Sequence, residues 1–331
     1  MIASVAFRNF KALRHTQLTL SPFNLVIGPN GSGKTSLIQA VLRLRALARL
    51  PLEQHPERHA RLPDGPEMEF RFDPPDDKLV AHLRCTEGRV CDLLTVDPPE
   101  APGWPDLQAR ILGARVFLLD HYAMPQPVAR TDNTELSGNG VNLTAVLLAL
   151  KEQHPEAFLR LETELLRLVP EFTELVFLDH PDDRVELALR IADEPKPVTA
   201  ENLSQGTLYL LALLALSFRP QPPSLVCIEE VDRGIHPRMM REVRDLLYRL
   251  SYPAEYGEQR APVQVIATTH SPYLLDQFRD HPEEVVIAQK HGREASFTRL
   301  SDRPDLPELL AEGTLGDMWF SGILGGVPDE P

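Results

Sequence analysis

Gly28, Pro29, Asn30, Gly31, Ser32, Gly33, Lys34 and Thr35 spell G-x-x-x-x-G-K-T, a spacing that builds a phosphate cradle. The glycines let successive backbone N–H groups turn inward around a phosphate chain. Lys34 adds a point charge at the outer phosphates, and Thr35 offers its hydroxyl to Mg2+. The loop follows the apolar run Phe23–Ile27 and opens the helical stretch Ser36–Leu50, which Pro51 ends. That helix directs its positive dipole end, about half an elementary charge, at the same anion. The chemistry implied is the binding of a nucleoside triphosphate.

Other residues could complete such a site. Leu225–Ile228 is an apolar run that ends in the adjacent carboxylates Glu229 and Glu230. A buried strand that delivers acids at its C-terminal end places them where ligands bind in an open α/β sheet. Strand side chains alternate, so the two point to different sides: one can reach Mg2+, the other a water aligned on a γ-phosphate. A second apolar run, Val263–Ala267, leads into Thr268, Thr269, His270 and Ser271. His270 is placed to donate a hydrogen bond to a phosphate oxygen. Leu203-Ser204-Gln205-Gly206 precedes the apolar helix Thr207–Ser217, with Ser204 a natural N-cap. Taken singly, these segments also read as solvated acids, a structural histidine and a well-capped helix.

The elements that must position these residues form a mostly parallel α/β pattern. Strands are expected at 2–7, 18–27, 115–119, 225–228, 263–267, 285–288 and 296–300, with helices at 142–151, 155–169, 207–217 and 239–250. The alternating runs Glu67–Phe72, Leu79–Cys85 and Arg89–Val96 predict an antiparallel arm, and Val176–Phe177 with Val185–Ile191 a hairpin. Thirty-one prolines cluster at 51–75, 98–105, 125–127, 195–197 and 220–223 and mark rigid loops.

The 331 residues carry a net charge of −14, which argues against indiscriminate adhesion to nucleic acid. Cys85, Cys91 and Cys227 contain no C-x-x-C pair, and so sparse a set suits a reducing cytoplasm and packing rather than a disulfide framework or zinc. No run reaches the eighteen or so apolar residues a membrane span needs, and Met1–Phe10 lacks the order of a signal peptide. Arg238, Arg241, Arg244 and Arg249 are interleaved with Glu242 and Asp245, so a solvated, self-paired face is expected there.

The order of these motifs resembles the ATP-binding-cassette ATPases, and within them the bacterial SMC, RecF and OLD-like branch. Ala6-Phe7-Arg8-Asn9-Phe10-Lys11 is similar to the branch's N-terminal strand and turn. Glu229-Glu230-Val231-Asp232-Arg233-Gly234-Ile235-His236-Pro237 resembles its E-E-P-E-x-x-[IL]-H-P variant, and Leu203–Leu211 its L-S-x-G-T-x-x-x-L. Glu312–Trp319 also has the look of small bacterial ATPases of this kind. Glu229 stands where the family has an aspartate, and the long interval from Lys34 to Ser204 holds no coiled coil or cysteine hook.

The resemblance implies an α/β P-loop NTPase head with a mixed sheet and a β arm around 67–97. Residues 1–124 and 201–331 would form the ATP-binding core, and 125–200 a helical lobe leading to the signature motif. It implies ATP and Mg2+, with Asn30, Gly31, Ser32, Gly33, Lys34, Thr35 and Ser36 on the phosphates and Thr35 and Glu229 on the metal. Glu230 would position or activate water, with His270 and Lys34 assisting. Gln126 would be the nearest candidate for the γ-phosphate-sensing glutamine. Ser204 and Gly206 would complete the site of a second copy in an ATP-sandwiched homodimer, with Asp232 in the dimer-communication loop. The expected function is a cytoplasmic ATP-driven switch in DNA repair or anti-phage defence, acting with a separate nuclease or effector, with direct DNA contact left open and no membrane. Alternatives are a transporter ATPase subunit and an ATP-locked scaffold with negligible turnover.

Overall fold

The computed structural model describes residues 1–52, 65–87, 90–99, 101–132 and 135–325. Arg89, where the third arm strand was expected to open, lies outside them, as does much of the proline-rich stretch at 53–64.

The chain divides into two compact units. The first comprises Met1–Val116, Pro223–Ile228 and the residues from Val263 onward. It holds the strands β1 (Ile2–Phe10), β2 (Leu13–Thr19), β3 (Phe23–Ile27), β4 (Glu67–Phe72), β5 (Val80–Glu87) and β6 (Val90–Asp97). The helices α1 (Lys34–Leu47) and α2 (Trp104–Leu112) also lie in it, and β7 (Arg115–Phe117) sits at its boundary. The second comprises Phe117–Pro222 and Glu229–Pro262. It holds β8 (Val128–Ala129), α3 (Leu143–Gln153), α4 (Pro155–Leu168), β9 (Phe172–His180), β10 (Arg184–Ile191), β11 (Val198–Thr199) and α5 (Gln205–Ser217). Between α5 and α6 (Met240–Ser251) the chain returns to the first unit as β12 (Leu225–Ile228). The first unit is completed by β13 (Gln264–Thr269), α7 (Pro272–Asp276), β14 (Val285–His291), β15 (Glu294–Arg299), α8 (Leu306–Glu312) and α9 (Leu315–Phe320).

Two sheets organise the first unit. The arm has the order β2-β1-β4-β5-β6 and is antiparallel throughout. Its register explains the alternation in the sequence. Phe7, Met68, Leu83 and Leu94 stand opposite one another across four strands, as do Val5, Phe70, Ala81 and Val96. All of these side chains are buried. The other face carries Arg8, Glu67 and Arg84 in one row and Glu69 and His82 in the next. Arg8 and Arg84 both pair with Glu67. The second sheet has the order β15-β14-β3-β13-β12-β7, with β12, β13, β3 and β14 parallel and β15 antiparallel. The mixed α/β sheet and β arm expected from the sequence are therefore present. One apolar cluster runs through α1, the arm and this sheet, and includes Leu37, Ile38, Val41, Phe70, Cys227, Ile266 and Val286.

Local details differ from expectation for identifiable reasons. Helix α1 starts at Lys34 and stops at Leu47, before Pro51. The turn after it is tightened by a bond from Leu50 N to Leu47 O, since the residue preceding a proline is pushed out of helical geometry. Helix α2 emerges from a proline-rich stretch because Pro105 occupies its first turn, where its missing N–H costs nothing. It buries Trp104, Leu107 and Ile111 on one face. The reading of the cysteines is corrected. Cys85 and Cys91 are register partners on β5 and β6, and a disulfide joins them; Cys227 is buried and takes no part in a disulfide.

In the second unit β10 pairs with β8, β9 and β11, all antiparallel, which includes the hairpin read from the sequence. Val128, Ala145, Leu148 and Val185 form a small core there. The self-pairing expected of the arginines in the α6 region is met in part: Arg241 and Arg244 face Asp245, while Arg249 binds Glu258, beyond the helix, at 2.6 Å. No helix among the described residues is long and apolar enough to cross a membrane.

Candidate nucleotide-binding site

Strand β3 is buried along its whole length and delivers Gly28 at its C-terminal end. Asn24 fixes its start: its Oδ1 accepts from Ser21 N at 2.9 Å, and its Nδ2 donates to Ser21 O at 2.7 Å and Val265 O at 3.3 Å. In the loop that follows, Gly28 and Gly33 leave no room for a side chain. A Cβ on Gly28 would come within 2.3 Å of the Ala288 carbonyl oxygen and 2.5 Å of Ser32 Oγ. Gly31 and Gly33 have φ of +77° and +96°, and a Cβ on Gly33 would meet Leu13 at 2.9 Å.

Two polar features of the loop fit a bound phosphate chain. Ser32 Oγ is buried and has no hydrogen-bond partner in the protein. Such an orphan costs about 1–3 kcal/mol, which an anion with acceptor oxygens would recover. Lys34 is buried and folds back onto the loop, its Nζ donating to Gly28 O at 2.6 Å and Pro29 O at 3.0 Å. Asn30, Gly31 and Thr35 are exposed and Ser36 is half-buried, so the loop's outer rim is open to a ligand.

The parallel pairing sets what lies beside it. Ile27 is level with Thr269 on β13, so His270 leaves its strand at the same sheet edge as Gly28. Ile228 is level with Ala267, and the chain passes directly from it into Glu229 and Glu230. Glu230 adopts φ +50°, a left-handed conformation that non-glycine residues adopt at a cost and that clusters at functional sites. Its carboxylate lies 3.7 Å from Arg233, one turn on. Arg233 N bonds to Glu230 O at 2.9 Å and Ile235 N to Asp232 O at 3.1 Å, which winds this segment tightly.

Glu229, Glu230 and Asp232 belong to the second unit, as do Ser204, Gly206 and Gln126. Ser204 caps α5 as the sequence implied, its Oγ accepting from Thr207 N at 3.1 Å and lying 2.8 Å from Thr207 Oγ1. Gly206 lies against the backbone of the loop after Glu230, since a Cβ there would fall 2.7 Å from Gly234 O. Gln126 is exposed, and its amide donates to Tyr122 O at 3.4 Å.

A residue that sequence reasoning passed over also reaches the loop. Strand β14 pairs with β3 on the side away from β13, with Ile287 level with Ile27. Lys290, three residues on, lays its side chain across Gly31: Nζ would be 3.6 Å and Cδ 3.8 Å from a Cβ there. The available signal was the alternation Val286, Ala288, Lys290, a buried stripe that ends in a cation.

Residues 1–60 match the family described as "AAA ATPase domain", and residues 155–276 match "AAA domain, putative AbiEii toxin, Type IV TA system". Two segments of the chain thus resemble AAA ATPase domains, and its fold is similar to that of SMC heads. The fold rests on similarity to an SMC head bound to the C-winged helix domain of ScpA, at TM-score 0.57 and 16% identity over 90% of this chain and 96% of that one. An SMC head with an extended coiled coil, bound to the C-terminal domain of ScpA and derived from Pyrococcus furiosus, matches at 0.57 and 14%, over 94% and 100%. The SMC head from Thermotoga maritima matches at 0.50 and 14%, over 90% and 98%. No curated protein sequence matches the chain.

Proposed function

We propose that this SMC-head-like protein binds and hydrolyses ATP with Mg2+ and uses the nucleotide to bring two copies of itself together. The observation that carries the reading is the loop Gly28–Thr35, where a buried, orphaned Ser32 hydroxyl lies among Gly28 and Gly33, which leave no room for a side chain, and Gly31, whose φ is +77°, beneath an exposed rim. The backbone of Asn30, Gly31, Ser32 and Gly33 holds the phosphates, together with Lys34, Thr35 and Ser36. Thr35 and Glu229 supply the hard oxygen ligands that Mg2+ prefers, and the ion would neutralise charge across the phosphate oxygens. Glu230 takes a proton from the attacking water, and His270 donates to a terminal phosphate oxygen.

Phosphoryl transfer needs mainly positioning and charge stabilisation, so part of the shell can come from a second molecule. Ser204 and Gly206, at the start of α5, are the groups offered in trans, with Asp232 beside them in sequence order after the carboxylates. Gln126 joins the γ-phosphate shell when the nucleotide is in place. The net charge of −14 favours a protein partner over direct sequence-blind DNA binding. The biological setting that fits is a cytoplasmic switch in DNA repair or phage defence, coupled to a separate nuclease or other effector.

The test is the light-scattering mass of Glu230→Gln with and without Mg-ATP. Blocked turnover with intact binding traps a dimer, and Ser204→Arg abolishes it. A mass unchanged by ATP, despite demonstrated ATP binding, would sink the shared-site reading.

A further inference from the structure

We propose that Lys290, at the end of β14, is a second phosphate-binding ammonium of the nucleotide site, acting across the tip of the loop at Gly31. The inference rests on the reading of Gly28–Thr35 as that site.

The backbone places it there. Register between β14 and β3 puts Ile287 opposite Ile27, and the Ala288 carbonyl presses on Gly28 so closely that no Cβ fits between them. Every second residue of β14 shares a face, so Lys290 follows Val286 and Ala288 on the side of the buried cluster that includes α1. Antiparallel pairing of Lys290 with Ala295 on β15 holds this end of the strand, and the turn beyond it is made by Gly292 at φ +58°. The lysine is thus carried on a paired strand, not on a loose tip.

The charge it presents is uncommitted. Among the described residues the Lys290 ammonium has no ion pair and no hydrogen bond, although the chain holds 48 acidic residues against 34 basic ones. Its side chain nevertheless lies over Gly31, an anion-seeking turn beside the orphaned Ser32 hydroxyl. An ammonium beside inward-turned N–H dipoles is electrostatically unfavourable until an anion arrives between them. Lys34 cannot play the same part from the same side, since it approaches from within the loop and is held by Gly28 O and Pro29 O. The two ammoniums approach the loop from different directions, and a bound phosphate chain would meet both.

The experiment measures Mg-ATP affinity by titration calorimetry for the full chain and for Lys290→Gln, Lys290→Arg and Lys34→Ala, each checked for an unchanged melting profile. Loss of one charge-assisted contact raises Kd by about tenfold in Lys290→Gln, and Lys290→Arg restores most of it. The slope of log affinity against log salt concentration also becomes shallower in Lys290→Gln, because one fewer charge is neutralised. An unchanged Kd and salt slope in Lys290→Gln, with binding lost in Lys34→Ala, would overturn the role of Lys290 while leaving the site standing. Tighter binding in Lys290→Gln would overturn it too, identifying a side chain that must move aside. Failure of the unaltered protein to bind Mg-ATP would overturn the nucleotide site itself.

Discussion

Gly206 and Gly234 touch backbone to backbone: a Cβ on Gly206 would lie 2.7 Å from the Gly234 carbonyl oxygen. The signature segment Leu203–Gly206 is therefore pressed against the loop that begins with Glu230 and passes through Asp232. Gly234 itself has φ +68°, with the Gln205 side chain against it. Whatever displaces one loop displaces the other. Gly206→Ala forces them apart at a cost of about 1–3 kcal/mol, and its melting temperature falls. In combination with Glu230→Gln it also fails to form the ATP-dependent dimer by light scattering, whereas Glu230→Gln alone succeeds.

The phosphate loop makes a sharper demand. Gly28 is enclosed by the Ala288 carbonyl, the Ala288 side chain and Ser32 Oγ, all within 3 Å of any added Cβ. Gly28→Ala must push the loop away from β14 or distort its path. We expect nucleotide affinity to fall by at least tenfold in a titration, with stability lowered by about 1–3 kcal/mol. Ser32→Ala isolates the orphaned hydroxyl. It removes a buried polar group without a partner, so it should raise the melting temperature of the nucleotide-free protein while weakening Mg-ATP.

Much of this site was legible because its parts are local. The loop, its strand and its helix lie within a few dozen residues, and Ser204 announces its own cap three residues before Thr207. The arm was legible because Glu67–Phe72 alternates with a period of two and one face is buried. What escaped the sequence depends on strand register. Lys290 reaches Gly31 only because β14 pairs with β3, and Cys85 meets Cys91 only because β5 and β6 pair with a shift between Arg84 and Cys85. Helix α2 was hidden by prolines that turn out to lie before it or in its first turn. The division into units was expected near residues 124 and 201, and the compact units change at 116–117, on either side of β12 at 222–223 and 228–229, and again at 262–263. A single strand lent by one unit's sequence neighbourhood to the other leaves no compositional mark.

Gln264 is another residue whose meaning depends on register. It opens β13 fully buried, and its amide clasps the first strand: Oε1 accepts from Ile2 N at 2.9 Å, while Nε2 donates to Ile2 O at 2.8 Å and Ser21 O at 3.2 Å. The arm's first strand is thereby tied to the parallel sheet. Gln264→Leu strands these backbone groups and should cost about 2–4 kcal/mol in urea unfolding. Gln264→Glu keeps the shape but loses the donors and buries an acid, so it should be worse at pH 8 than at pH 5.

His82 provides a pH test of the arm. It sits between Glu69, its register partner, and Thr95, with Nδ1 buried, unpartnered and 3.9 Å from both Glu67 and Glu69. Burial, then the Arg84 charge, hold its pKa below the ordinary 6.5, and the attraction of Glu69, Glu67 and Asp97 does not reverse this. In the unfolded chain His82 takes up a proton near pH 6.5, while in the folded chain it stays neutral to lower pH. Between those values the unfolded state binds more protons, so stability rises with pH and falls as acid is added. The loss begins as pH drops through about 6.5 and is complete below the folded value, where both states are protonated. His82→Gln removes this linkage. Urea midpoints measured from pH 7.5 to 5 should therefore decline less steeply in His82→Gln than in the unaltered protein. Equal slopes would show that the attraction of the carboxylates cancels the effect of burial, and a steeper decline in His82→Gln would show that it outweighs it.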